Sequence, residues 1–192
     1  QMRAVGEVMS IGKTYKEAFQ KAIRSLENGR YGLGHAKNFD TLSKDELLKM
    51  LINASSERHF VMYEALRKGA TVEEIHELTK VKHYFIEQMK ELVEEEEALM
   101  ASKGSLPADE ALIQAKKNGF SDKYLSQILA IPEADIRNKR IELGVEENWE
   151  GVHVSGTENN AYYYSTYNGT DKNPESTDKP KVMILGGGPN RI

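Results

Sequence analysis

The chain has 192 residues, 39% hydrophobic and 29% charged, with no cysteine and a net charge of −4. That composition is globular, not disordered or fibrous; no apolar run approaches the roughly 20 residues of a membrane helix. The missing cysteine excludes a disulfide framework, a thiol nucleophile and Cys-ligated zinc.

The N-terminal QMRAVGEVMSIGK has no continuous apolar core and no small-residue cleavage site, so no secretory signal is expected and the expected setting is cytoplasmic. Within residues 1–12, AVGEVMSIG reads as a short edge strand. Thr14 and Glu17 have the spacing of a capping box, in which the hydroxyl accepts from an early helix N–H and the carboxylate reaches back. The helix they open carries Ala18, Phe19, Ala22, Ile23 and Leu26 as an apolar stripe and is predicted to end at Gly29, Gly32 and Gly34. Such a stripe must be covered, either by the rest of the chain or by a partner.

Residues 29–41 read as a loop and boundary. Ser43 and Glu46 form a second capping box ahead of Leu47, Leu48, Leu51 and Ile52. A third helix, 56–68, carries Phe60, Tyr63 and Leu66 and stops at Gly69. Thr71 and Glu74 cap a short helix with Ile75 and Leu78 as its buried side, Val81 fills the turn, and 84–101 form a long helix with Phe85, Ile86, Met89, Leu92 and Val93 inward. Four consecutive carboxylates, Glu94 to Glu97, cannot share one helical face and are read as solvated surface.

The pattern then returns. Pro107 opens helices predicted over 108–118, 121–129 and 132–143, closed by Gly144. Setting Gly69 on Gly119 places Ile75, Leu78, Val81 and Ile86 on Leu125, Ile128, Ile131 and Ile136, apolar on apolar each time. The expectation is an all-α domain of two similar helical subdomains, an internal duplication with repeats at about 56–101 and 107–144. Short extended segments are expected at both ends. Residues 151–180, with AYYYSTY at 161–167, read as a connector, partly extended. Lys181 to Leu185 followed by GGGPNRI reads as an apolar strand and glycine-rich turn like the start of a nucleotide-binding α/β unit, though without GxGxxG spacing. The sequence stops where the next helix would begin, so an excised piece of a larger protein is expected.

Charge decides between function classes. Residues 1–43 carry a net +3, 44–104 carry −4, 105–150 carry −3 and 151–192 are neutral. TVEEIHELTKVKHYFIEQM and SDKYLSQILAIPEADIRNKR have the shape of tandem helix-turn-helix DNA-binding modules. Yet the helix that would read DNA holds one lysine and six glutamates between Tyr84 and Glu97, which phosphate would repel. His35, His59, His76, His83 and His153 show no HExxH spacing, and Ser55 and Ser56 beside His59 lack a nucleophile elbow, so no autonomous enzyme or metal site is expected.

MRAVGEVMSIGKTYKEAFQKAIRSLE at 2–27, SSERHFVMYEALRKG at 55–69, and YYYSTY with KVMILGGGPNRI resemble, in that order, the middle of the large subunit of carbamoyl phosphate synthetase. The resemblance implies an all-α connection or oligomerisation domain between two ATP-grasp halves. It implies the end of the first half at 1–34, the helical domain at 35–150, a connector at 151–180 and the first strand and turn of the second half at 181–192. It also implies no catalytic, cofactor or metal residue in this chain, with ATP and Mg or Mn used elsewhere in the parent enzyme. Implied partners are further large subunits, the two halves of the parent chain and a glutaminase small subunit, with no nucleic acid and no membrane. Tyr63, Tyr84, Phe120, Tyr124 and Trp149 are the candidate interface residues, since aromatics are enriched at interface centres, although core packing is the commoner fate of such residues.

Overall fold

In the computed structural model, which describes residues 8–35, 39–152, 154–156, 162–170, 178–180 and 182, every residue from Phe60 to Leu66 is buried. A helix covered on all sides is the centre of its domain, and α3 (Arg58–Arg67) holds that place. The helix α2 (Lys44–Leu51) packs on α3, and α5 (His83–Met100) on both α3 and α4 (Val72–Thr79). The earlier helix α1 (Tyr15–Ser25) lies on α5 and buries Ile23 at 4% exposure, while Ala18, Phe19, Ala22 and Leu26 of its stripe stay half-buried. The helices α6 (Asp109–Lys117), α7 (Asp122–Leu129) and α8 (Glu133–Glu142) complete the α-helices of the described residues.

Local signals in the sequence set most boundaries. Both capping boxes, Ser43 with Glu46 and Thr71 with Glu74, are closed in both directions. At α1 the box is only half formed. Thr14 Oγ1 accepts from the Glu17 N–H, but the Glu17 carboxylate accepts from the Lys13 N–H at 2.8 Å and from Asn168 Nδ2 at 3.1 Å, because tertiary contact has drawn it inward to 2% exposure. The chain leaves α1 through Glu27, at φ 49°, before it reaches the glycines.

The fifty-residue offset recurs in backbone geometry. Gly69 and Gly119 stop their helices at φ +86° and +94°, and the next N–H reaches back in the same way, Ala70 to Ala65 and Phe120 to Ala115. Lys80 and Ala130 end α4 and α7 in the left-handed conformation, at φ 57° and 54°. Ile75 and Leu125 are fully buried, as are Ile86 and Ile136. The two units then diverge, since α5 has 18 residues and α8 has 10.

Four predicted inward residues lie at the surface. Ile52, at 62% exposure, caps α2 beyond its last turn, and Ile141 lies near the end of α8 at 46%. Leu78 is 37% exposed where its counterpart Ile128 is 4%, and Phe85, at 38%, turns toward Tyr15 of α1 at a ring separation of 5.1 Å. After α8 the connector forms an antiparallel hairpin, β1 (Asn148–Val152) with β2 (Tyr162–Thr166), in register from Asn148↔Thr166 to Val152↔Tyr162. Val8 forms an isolated bridge; residues 1–7 and, apart from Val182, the predicted strand and turn at 181–192 lie outside the described residues. Among the described residues no helix is long and apolar enough to cross a membrane.

Candidate functional site

A carboxylate sits at the centre of the molecule. Glu96, on the inward face of α5, is fully buried, which overturns the reading of Glu94–Glu97 as uniformly solvated. Its Oε2 accepts from the hydroxyls of Tyr63 on α3, at 2.7 Å, and Tyr124 on α7, at 2.8 Å. Its Oε1 accepts from Arg67 Nη2 at 2.5 Å and lies 3.6 Å from His35 Nε2. Arg67 also reaches Glu64, at 3.2 Å, and Glu97. Burial, and then the Glu96 charge, push both tyrosine hydroxyls well above their ordinary value, so they remain donors. Burial works against the Arg67 cation, but Glu96 outweighs it and raises the guanidinium net. The loop backbone closes over this group at Gly34, where a Cβ would lie 2.5 Å from Tyr124 Oη and 2.7 Å from Arg67 Nη2. With its donors permanently charged or protonated and water excluded, the centre is a fixed junction of α3, α5, α7 and the 29–35 loop. Such buried networks fix structure instead of turning over substrate.

An aromatic surface lies at the other end of α5, near its first turn. Tyr15 and Phe19 of α1 stack at 5.3 Å, and Tyr15 meets Tyr84 at 6.1 Å and Phe85 at 5.1 Å. His59 sits edge-on to Phe19 at 5.3 Å. Tyr84 is 54% exposed at the start of α5, and beside it a recess of about 210 Å³ is lined by Tyr15, His59, Met62, Val81, Phe85 and Met89. Burial, then Tyr84, raises the Tyr15 hydroxyl to about 12, and burial, then Arg58, lowers the His59 imidazole. Both groups are therefore neutral near pH 7. A neutral, ring-rich patch loses little when water is removed from it, which suits protein contact.

The third feature ties the hairpin down. Lys21 Nζ donates to Ser165 O at 2.7 Å, Lys13 pairs with Glu150, and Asn168 Nδ2 donates to Lys117 O at 2.7 Å. Lys116, 3% exposed, donates to Phe120 O at 2.7 Å and Asp122 Oδ1 at 2.6 Å, while Arg140 Nε donates to Asp122 Oδ2 at 2.7 Å. Both cations approach the Tyr167 ring, at 4.8 and 5.9 Å. Burial raises the Tyr167 hydroxyl to about 12.

Three expected interface residues must be corrected. Tyr63, Phe120 and Tyr124 are 1%, 1% and 2% exposed, consumed by the core, two as donors to Glu96 and Phe120 by stacking on Tyr124 at 6.1 Å. Tyr84 and Trp149 do reach the surface, at 54% and 50%. The pairings Trp149↔Ser165 and Gly151↔Tyr163 put Trp149 and Tyr163 on one face of the hairpin, well away in sequence from Tyr84. Tyr15 lies outside the residues singled out from sequence, and Phe19 enters only through the α1 stripe that the chain or a partner must cover; the available signal was the proximity of two aromatics four residues apart on one helix face. No group of three His, Cys, Asp or Glu among the described residues could hold a metal. The exposed side of α5 presents Glu87, Glu91, Glu94 and Glu97, which opposes the DNA-binding alternative.

The profile of a family described as carbamoyl-phosphate synthetase large chain, oligomerisation domain, matches residues 7–144. Over its full length the chain is similar to the carbamoyl phosphate synthase large chain of Rhodopirellula baltica, at 41% identity and 19% of that protein. It is likewise similar to that of Thermotoga neapolitana, at 42% and 17%. The arginine-specific large chain, chloroplastic, of Arabidopsis thaliana is 42% identical, with 16% of its length covered. The chain thus spans less than a fifth of these relatives.

Proposed function

The chain belongs to the oligomerisation-domain family of the carbamoyl-phosphate synthetase large chain, and from that premise we propose that it self-associates through the α1–α5 aromatic surface while joining two catalytic halves of a longer protein. The domain itself is non-catalytic. The parent protein makes carbamoyl phosphate from bicarbonate, ammonia released from glutamine by a small subunit, and two ATP with Mg or Mn, for arginine and pyrimidine synthesis in the cytoplasm. In that protein residues 1–34 end the first half, 35–150 form the helical domain, 151–180 connect, and 181–192 begin the second half. The two helical units descend from one duplicated unit, a reading supported by their matching glycine stops and left-handed caps.

The observation that carries the self-association reading is the exposure of Tyr84 and Phe85, 54% and 38%, within a continuous neutral aromatic cluster. Sedimentation equilibrium tests it. Tyr84→Ser should weaken self-association by about tenfold or more, the effect of losing one interfacial aromatic anchor. Trp149→Ser, on the separate hairpin, should leave the constant unchanged. A Tyr84→Ser chain that associates as tightly as the parent chain would refute this choice of surface.

A further inference from the structure

A cleft of about 320 Å³ between the 29–35 loop, the end of α5 and α7 differs from the other recesses in its charge. Its walls include Arg30, His35 and Lys103 and no carboxylate. The cleft beside the hairpin, by contrast, contains Glu17, Asp122, Glu133 and Glu147, and the groove between α5 and α6 contains Glu95. The recess beside Tyr84 also lacks a carboxylate, but it has no lysine or arginine, so in a chain with net charge −4 this cleft is distinguished by its cations.

We propose that this cleft binds a phosphomonoester, its phosphoryl group held by Arg30, Lys103 and the glycine-bearing loop and its organic part laid on Met100, Ile128 and Tyr31. The Arg30 side chain is 14% exposed, with one face on the Phe60 ring at 4.0 Å and Nη2 paired with Glu57 at 2.8 Å. Its Nη1, enclosed by protein, has no hydrogen-bond partner. A guanidinium nitrogen without an acceptor is costly, and an oxyanion in the cleft would satisfy it once the Arg30 side chain turns toward the opening. The Lys103 ammonium makes no ion pair among the described residues and supplies a second positive charge at the rim. The backbone N–H groups of Gly32 and His35, both on the cleft wall, find no acceptor among the described residues. Loop amides of this kind commonly cradle phosphate. Gly32 also packs so closely on the floor that a Cβ would lie 2.5 Å from the Tyr124 ring, which keeps the loop backbone at the cleft surface. The buried Glu96 carboxylate lies directly behind Gly34 and 3.6 Å from His35 Nε2, and it is answered by Arg67 and two tyrosines, so the charge offered to a ligand comes from Arg30 and Lys103.

The Lys103 ammonium and the Arg30 guanidinium, which keeps one nitrogen beyond its Glu57 pair, favour a dianion over a simple carboxylate, and the apolar remainder of the wall favours an ester over free phosphate. Calorimetric titration of the 192-residue chain with phenyl phosphate, inorganic phosphate and benzoate separates these chemistries. Phenyl phosphate should saturate one site, bind at least about threefold more tightly than inorganic phosphate, and lose affinity as salt rises; benzoate should bind more weakly than either. Lys103→Ala, which disturbs no internal contact, should weaken phenyl phosphate by about fivefold or more, with an unchanged melting temperature confirming the fold. Arg30→Lys, which keeps the charge but loses the fork, should also weaken it. A phenyl phosphate Kd above about 10 mM, equal binding of benzoate, or a Lys103→Ala chain with parental affinity would overturn the proposal.

Discussion

The Tyr124 hydroxyl donates to Glu96 Oε2 at 2.8 Å, and through that bond the second helical unit is fastened to the first at a point with no access to water. Tyr63 shares the same oxygen from the other side. Glu96→Gln should therefore remove the charge that Arg67, only 12% exposed, depends on. Losing one partner of a buried pair costs about 3–5 kcal/mol, and Tyr124→Phe, which removes one donor, should cost about 1–2 kcal/mol. Glu94→Gln, on the exposed side of the same helix, should stay within about 0.5 kcal/mol of the parent. Urea unfolding of the three variants checks the order.

Gly69 and Gly119 occupy equivalent turns but different surroundings. A Cβ at Gly69 meets nothing within 4 Å, whereas at Gly119 it would lie 3.0 Å from Glu17 Cα and 3.2 Å from Glu17 O, on the backbone of α1. Both substitutions to alanine incur the left-handed penalty of about 1–2 kcal/mol. Gly119→Ala should lose about 1 kcal/mol or more beyond that, because the α1 backbone must move. Thermal unfolding of the two variants side by side gives the difference.

Glu74 makes stability depend on acid. Its carboxyl is lowered to about 2, first by the Lys44 ammonium, 2.8 Å from Oε1, and then by the Thr71 N–H. A carboxyl held below its unfolded value takes up protons on unfolding, so its contribution is full above about 4.5 and is lost as pH falls toward 2. The group is exposed and the contribution is correspondingly small. Glu74→Gln should melt at a lower temperature than the parent at pH 6, and the two curves should converge between pH 4.5 and 2. Parallel curves across that range would remove Glu74 from the account.

Local chemistry was legible in the sequence: the capping boxes at Ser43 and Thr71, the glycine stops at 69 and 119, and the alternation of Ile75, Ile86, Met89 and Leu92 into the core all act within a few residues. The polar centre was not. Within four consecutive glutamates, period alone cannot say which one points inward to partners 28 and 33 residues away. The same distance problem hid Glu17, whose half-open box is explained by Asn168, 151 residues later. The five candidate aromatics divide on burial, because a tyrosine whose hydroxyl finds a buried acceptor can enter a core without an unsatisfied donor. Tyr63 and Tyr124 have that acceptor; Tyr84, at the first turn of α5, is placed toward solvent instead.

The hairpin should be separable from the helical body by one side chain. Asn168 Nδ2 bridges Glu17 Oε2 at 3.1 Å and Lys117 O at 2.7 Å, and so joins the end of the hairpin to α1 and α6 together. Asn168→Ala deletes both donations and leaves the buried Glu17 carboxylate with one fewer donor, a loss of about 1–3 kcal/mol localised at that contact. The remaining ties, Lys21 to Ser165, Lys13 to Glu150 and the Lys116 and Arg140 cations on the Tyr167 ring, do not reach the Glu17 carboxylate or Lys117 O and so cannot replace this amide bridge. Hydrogen exchange of the β1 and β2 amides should therefore accelerate by about tenfold or more, while amides of α3 and α5 keep their protection. Uniform acceleration across α3 and α5 would show that the hairpin and the helical body open as one unit.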